Sequence, residues 1–143
     1  MQRVARAAVS VAGERVGAIG AGLLVFVCAE PADDEPIAER LGERLLALRV
    51  FADAAGKMNR SVVDVGGALL IVSQFTLAAD LSSGNRPGFS RAASPALGRR
   101  LYERMVSTAR ASHHPVQAGV FGADMQVHLV NDGPVTIPLT LRG

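Results

Sequence analysis

Two hydrophobic periods alternate along the chain. Val4 to Val11 mixes β-branched and small residues, Ala12-Gly13-Glu14 is turn-like, and Arg15 to Ile19 resumes as a short strand, which predicts a hairpin. Leu23 to Cys28 is an unbroken apolar run bounded by Gly20, Gly22 and Pro31, and its length and β-branched content predict a fully buried strand. After Asp33, Asp34 and Glu35, the residues Ile37, Leu41, Leu45 and Leu48 recur at spacings of four, four and three. That is one apolar face of a helix, with acids at the end where the dipole favours them.

The second half repeats the alternation. Arg49-Val50-Phe51 predicts a short strand, Asp53 to Lys57 a turn, Ser61 to Val65 a strand, Gly66-Gly67 a turn, and Ala68 to Ser73 a buried strand. Residues 78–93 are loop-like. Ser94-Pro95 opens a helix, serine as N-cap and proline in the first position, and Leu97, Leu101 and Met105 lie four apart on its face. It ends near His113-His114-Pro115. Val116 to Ala118 and Met125 to Val130 predict strands, Asn131-Asp132-Gly133-Pro134 a break, and Val135 to Leu141 a last strand suited to an edge by Pro138. The class is α+β: two amphipathic helices packed on a largely antiparallel or mixed sheet that can curl.

Composition narrows the picture. The 143 residues suit a single domain, 1–143, and 49% hydrophobic against 20% charged residues excludes a disordered chain or a coiled coil. Cys28 is the one cysteine, which excludes a disulfide framework and a multi-thiolate zinc site and points to a reducing, cytoplasmic compartment. Charged residues interrupt the N-terminus, so no signal peptide is expected, and the apolar run Ile19 to Ala29 is too short to span a membrane. Fourteen of the 15 basic residues are arginine, Lys57 being the exception, but a net charge of +2 gives only weak support for a nucleic-acid partner.

Familiar nucleophile arrangements find little support. There is no Gly-x-Ser-x-Gly elbow, and neither Ser73 nor Thr76 has a histidine at a telling spacing. His113 and His114 read as a solvated helix C-terminus and His128 as a strand-face residue. Arg99, Arg100 and Arg104 read as a solvated helix face more readily than as an RNA stripe. Gly66-Gly67 lacks the lysine and following helix of a phosphate loop. No metal or cofactor is expected. Two segments stand apart: Ser73-Gln74-Phe75-Thr76, where a buried strand runs out into polar residues, and Asn131-Asp132-Gly133-Pro134-Val135-Thr136, where a Gly-Pro unit can present carbonyls to a ligand.

In order and at full length, these segments resemble the two signature motifs of the D-aminoacyl-tRNA deacylase family, Ser-Gln-Phe-Thr and Asn-x-Gly-Pro-x-Thr. The similarity extends to Gln2-Arg3-Val4, Gly56-Lys57-Met58-Asn59, Asp64-Val65-Gly66-Gly67, Arg86-Pro87 and Phe121-Gly122-Ala123-Asp124-Met125. The resemblance implies a β-barrel-like core flanked by helices, a homodimer with active sites at the interface, and hydrolysis of the ester between a D-amino acid, or glycine, and the 3′-terminal adenosine of tRNA. It makes Ser73, Gln74, Phe75 and Thr76 the catalytic segment and Gly133-Pro134 a cis peptide that enters the partner's pocket and excludes L side chains. It makes Arg3 the support of that loop, with Met125, Asn131 and Thr136 as pocket residues.

The 2′-hydroxyl of the terminal ribose assists in this family. Many relatives carry tyrosine and basic residues after the first motif, where this chain has Ala78 to Asn85, so Arg86 and Arg91 remain as tRNA contacts. Two other readings stay open: the sister deacylase acting on mischarged L-aminoacyl-tRNA, and a non-catalytic RNA-binding module on the same fold.

Overall fold

The computed structural model describes residues 1–143. The predicted hairpin forms from β1 (Gln2–Val11) and β2 (Glu14–Ile19), joined by Ala12 and Gly13, both at positive φ as a two-residue turn requires. β1 also pairs antiparallel with β3 (Gly22–Val27) through residues 2–4 and, along its length, with the last strand, β8 (Met125–Thr136). β3 runs parallel to β6 (Ala68–Ser73), and β6 parallel to β7 (Val116–Ala118). The order β2-β1-β3-β6-β7, with β8 on β1, is a mixed sheet. It curls until Gly17 of β2 faces Ala118 of β7, where an added Cβ would stand 3.1 Å from the Ala118 carbonyl oxygen. The barrel is thus nearly closed, as the α+β, barrel-like expectation required.

Both faces of the β3–β6 pair are buried. Leu23, Val25, Leu69 and Ile71 point toward the helices, while Leu24, Ala68, Leu70 and Val72 fill the barrel with Val4 and Val9. This explains why both strands read as continuous apolar runs. The helices α1 (Glu35–Ala47) and α2 (Pro95–Ser112) cover one face. Asp34 caps α1 by accepting from the Ile37 N–H at 3.0 Å, and Ser94 caps α2 through the Leu97 N–H at 3.3 Å. Arg104 donates to Glu39 at 2.7 Å, and Arg100 lies 3.6 Å from Glu35, so the arginine face of α2 clips onto α1. No helix is long and apolar enough to cross a membrane.

Three expectations are corrected. Ser61 to Val65 is a turn, not a strand. The Ser61 N–H donates to Asp64 at 2.8 Å, the Asp64 N–H donates to the Ser61 hydroxyl at 3.1 Å, and the Val65 N–H closes on the Ser61 carbonyl. Local side-chain bonds there outcompete a ladder. The small hairpin lies just before it, β4 (Phe51–Ala52) on β5 (Met58–Arg60). Asn131 to Pro134 does not end a strand either: β8 continues to Thr136 through register shifts against β1, and residues 137–141 form no strand. Finally, His113 is not simply solvated, since its Nε2 lies 2.6 Å from the Gly67 carbonyl oxygen.

The β3–β6 pair leaves no room at its start. A Cβ on Gly22 would overlap the Ala68 carbonyl oxygen and stand 2.7 Å from the Ala68 nitrogen, whereas one on Gly20 meets nothing within 4 Å. Gly22→Ala is expected to cost about 3 kcal/mol, the upper part of the overpacking range, and to lower the thermal midpoint by several degrees. Gly20→Ala is expected to stay close to wild type. Calorimetry on the two variants checks the contrast, and equal midpoints would contradict this packing.

Candidate active site

Ser73 is the last residue of β6, beside Val27 at the end of β3. The Gln74 N–H extends the pairing by one bond, to the Val27 carbonyl at 2.8 Å. The chain then turns into a single 3-10 turn, Phe75–Ala78. Its first internal donor is the Leu77 N–H, to the Gln74 carbonyl at 3.3 Å, so the Phe75 and Thr76 amides have no partner inside the turn. The Gln74 side-chain amide donates to the Thr76 hydroxyl at 2.9 Å. Two polar groups and two free amides thus stand where a buried strand ends.

They border a cavity of about 890 Å³. Its floor comes from the strand ends and its apolar walls from the inner faces of α1 and α2. Tyr102 lies in one wall, its hydroxyl donating to the Ile71 carbonyl at 2.8 Å. Met125, Phe75 and Phe89 also line it. No histidine does, so Ser73 and Thr76 have no imidazole base within it. Burial, reinforced by Glu30, pushes the Cys28 thiol above its usual range, so this lining residue stays protonated at neutral pH.

The second motif lies elsewhere. Asp132, Gly133 and Pro134 are exposed and border neither this cavity nor the smaller one near the C-terminus. The Gly133-Pro134 peptide is cis. Asn131 stitches the segment: its Oδ1 accepts from the Val135 N–H at 2.6 Å, and its Nδ2 donates to the Thr136 hydroxyl at 3.0 Å and the Val135 carbonyl at 3.3 Å. Arg3 holds it from below, Nε donating to the Asp132 carbonyl at 3.0 Å and a terminal nitrogen to the Val50 carbonyl at 2.8 Å. Gly133 has φ +145°, and a Cβ there would stand 2.7 Å from the Val135 side chain, so the position needs glycine. Asn131 and Thr136 therefore bond within the loop, and only Thr136 borders a cavity, the smaller one.

The arginines differ in setting. Arg91 lies 3.8 Å from Asp80, whose carboxyl is held below the usual carboxylate range mainly by Ser82. Arg86 is exposed in the loop beyond. Periodicity gave no sign of Phe89, whose ring meets Phe75 edge-on at 5.0 Å between centroids. It did mark Ile37, Leu41, Leu101 and Met105 as apolar helix faces, but not that these faces wall a cavity.

The family model for D-Tyr-tRNA(Tyr) deacylase matches residues 1–140. The D-aminoacyl-tRNA deacylase of Methylibium petroleiphilum is 68% identical over 99% of this chain and 93% of its own length. That of Variovorax paradoxus is 65% identical over 99% and 97%. Among solved structures, that of a c-Myc DNA Unwinding Element Binding Protein superposes with a TM-score of 0.92 at 40% identity, over 99% of this chain and 97% of that one. A probable eukaryotic D-amino acid tRNA deacylase, TM-score 0.78 at 16% identity over 92% of each, shares the fold. Fold, strand-end motif and relatives together define a deacylase, an enzyme that hydrolyses carboxylic esters. The chain belongs to the D-Tyr-tRNA(Tyr) deacylase family.

The Asn131 stitching is testable by itself. Asn131→Ala removes all three bonds, and exchange of the Val135 amide hydrogen is expected to quicken about ten- to a hundredfold. Asn131→Asp keeps the acceptor and is expected to fall between. Equal exchange in all three proteins would show that the loop is held by something else.

Proposed function

We propose that the protein hydrolyses the ester joining a D-amino acid to the 3′-terminal adenosine of tRNA, with glycine mischarged on alanine tRNA as a further substrate, in the cytoplasm. The observation that carries this reading is the separation of the two motifs. Ser73 to Thr76 border a cavity, while Gly133-Pro134 is tied down, exposed and outside it. A rigid loop facing away from its own cavity is suited to a partner's. The reading is therefore a homodimer in which each site takes its strand end from one subunit and its Gly-Pro loop from the other.

Chirality then follows from backbone geometry. The loop's carbonyls occupy the volume that an L side chain needs, a D side chain points away unread, and glycine passes. The Phe75 and Thr76 amides, free within their turn, suit the oxygen of a tetrahedral intermediate. Water adds to the ester carbonyl carbon, the bond to the ribose 3′ oxygen breaks, and that oxygen leaves with a proton relayed by the neighbouring 2′-hydroxyl. Thr76 receives a hydrogen bond from Gln74 and has no histidine in the cavity, which disfavours it as a covalent nucleophile. Arg86 and Arg91 are the proposed phosphate contacts.

A second reading, a nucleic-acid-binding module without catalysis, draws on the 40%-identical structure, whose name is that of a DNA element binding protein. Deacylation of D-Tyr-tRNA and L-Tyr-tRNA separates the readings. Turnover of the D substrate alone is expected. Turnover of the L substrate would indicate the sister activity, and binding without turnover the module. Ser73→Ala and Thr76→Ala are each expected to stay within about tenfold of wild type, and a 2′-deoxy terminal ribose to lose about 10²–10⁴-fold, the scale of a lost proton transfer. Complete loss in a folded, tRNA-binding Thr76→Ala would restore the nucleophile.

A further inference from the structure

The cavity mouth carries an aromatic pair that the reaction does not explain. Phe75 is 58% exposed, although a phenyl ring at the end of a buried strand could have turned inward. Its ring forms a T-shaped pair with that of Phe89, centroids 5.0 Å apart and planes 72° apart. Phe89 is itself 38% exposed and sits on fixed backbone. Just before it, Asp80 and Gly88 exchange both backbone hydrogen bonds, at 2.7 and 3.0 Å, which closes residues 80–88 into a pinned loop. Just after it, the Ala92 N–H turns back to the Phe89 carbonyl at 3.1 Å, and the Ala93 N–H ties the segment to the Ala29 carbonyl at 2.8 Å. So residues 88 and 93, on either side of Phe89, are anchored to separate parts of the chain.

In such an edge-to-face pair at least one face of the Phe75 ring stays clear of Phe89, while the contact restricts rotation about the Phe75 side-chain torsions. A fixed, half-exposed aromatic face beside a cavity is a stacking surface for a nucleobase. We propose that Phe89 is a positioning residue, one that holds the Phe75 ring as the platform on which the terminal adenine of the tRNA stacks. The proposal rests on the substrate reading above and adds to it the residue that orients the base. Adenine seated there would place its ribose, and the ester on it, toward the Phe75 and Thr76 amides a residue away. Phe89 touches no reacting atom and acts through Phe75.

Uncharged tRNA whose terminal adenosine is replaced by 2-aminopurine riboside tests the platform independently of hydrolysis. Binding to wild type is expected to quench its fluorescence, and Phe75→Leu to abolish the quench. Phe89→Leu keeps an apolar side chain but loses the ring. It is expected to weaken the quench and raise KM for D-Tyr-tRNA about three- to tenfold, the scale of one edge-to-face contact, with kcat within about twofold. Phe89→Tyr, which keeps the ring, is expected to restore both. The thermal midpoint of each variant is measured alongside, and Phe89→Met replaces Phe89→Leu should the latter be unstable. An unchanged quench and KM in stable Phe89→Leu or Phe89→Met would overturn the proposal, as would a fall in kcat alone. A wild-type protein that quenches but does not hydrolyse D-Tyr-tRNA would refute the substrate reading and leave the platform standing.

Discussion

The parallel pairing of β3 with β6 is the constraint on which the rest of the molecule depends. It runs in register from Gly22 and Ala68 to Val27 and Ser73, and its two faces belong to two different cores. One face seats both helices, and the other fills the barrel. Because every side chain from Ala68 to Val72 is buried, the pair cannot slip by one residue without exchanging the two cores. That fixes where the strands end. Ser73 and the two amides beyond it stand at the cavity floor because the register brings them there.

β1 does the corresponding work for the second motif. It is shared among β2, β3 and β8, and its first residues lie where β8 bends past Asn131. Arg3 can therefore bond the Asp132 carbonyl on one side and the Val50 carbonyl on the other. The loop is rigid through hydrogen bonds that mostly satisfy backbone groups, with Asn131 supplying three of the set. Both motifs are thus consequences of the same sheet, one at a strand end and one at an irregularity, yet they face different surroundings. The proposed dimer would bring them together.

Much of this was legible in the sequence, for physical reasons that differ from element to element. The apolar runs at 23–28 and 68–73 are buried on both faces and could hardly be anything but interior strands. The Ser94-Pro95 start and the acids before Ile37 are local signals read by local rules. The misread segments are those where local side chains compete with the ladder. Ser61 and Asp64 bond each other's backbone, and Asn131 bonds Val135, which turns an apparent strand into a turn and an apparent break into a bent strand. In the site, a strand running into Gln74 and Thr76 marked itself. The roles of Arg3 and Gly133-Pro134 came only from resemblance, since an arginine and a loop 129 residues away carry no shared period. The Phe75–Phe89 contact depends on tertiary packing and left no trace in spacing, and the helix faces carrying Ile37, Leu41, Leu101 and Met105 were periodic without showing that they wall a cavity.

The central claim is that each active site is assembled from two subunits, and subunit mixing tests it most directly. One variant is damaged only at the strand end, as Gln74→Ala with Phe75→Ala, and the other only in the loop, as Gly133→Val. Each is expected to be inactive on D-Tyr-tRNA by itself. After subunit exchange half the dimers are mixed, and each has one intact site of two. Activity is then expected to return to about one quarter of the wild-type level. Absence of any recovery in verified mixed dimers, or full activity in a stable monomer, would contradict the account.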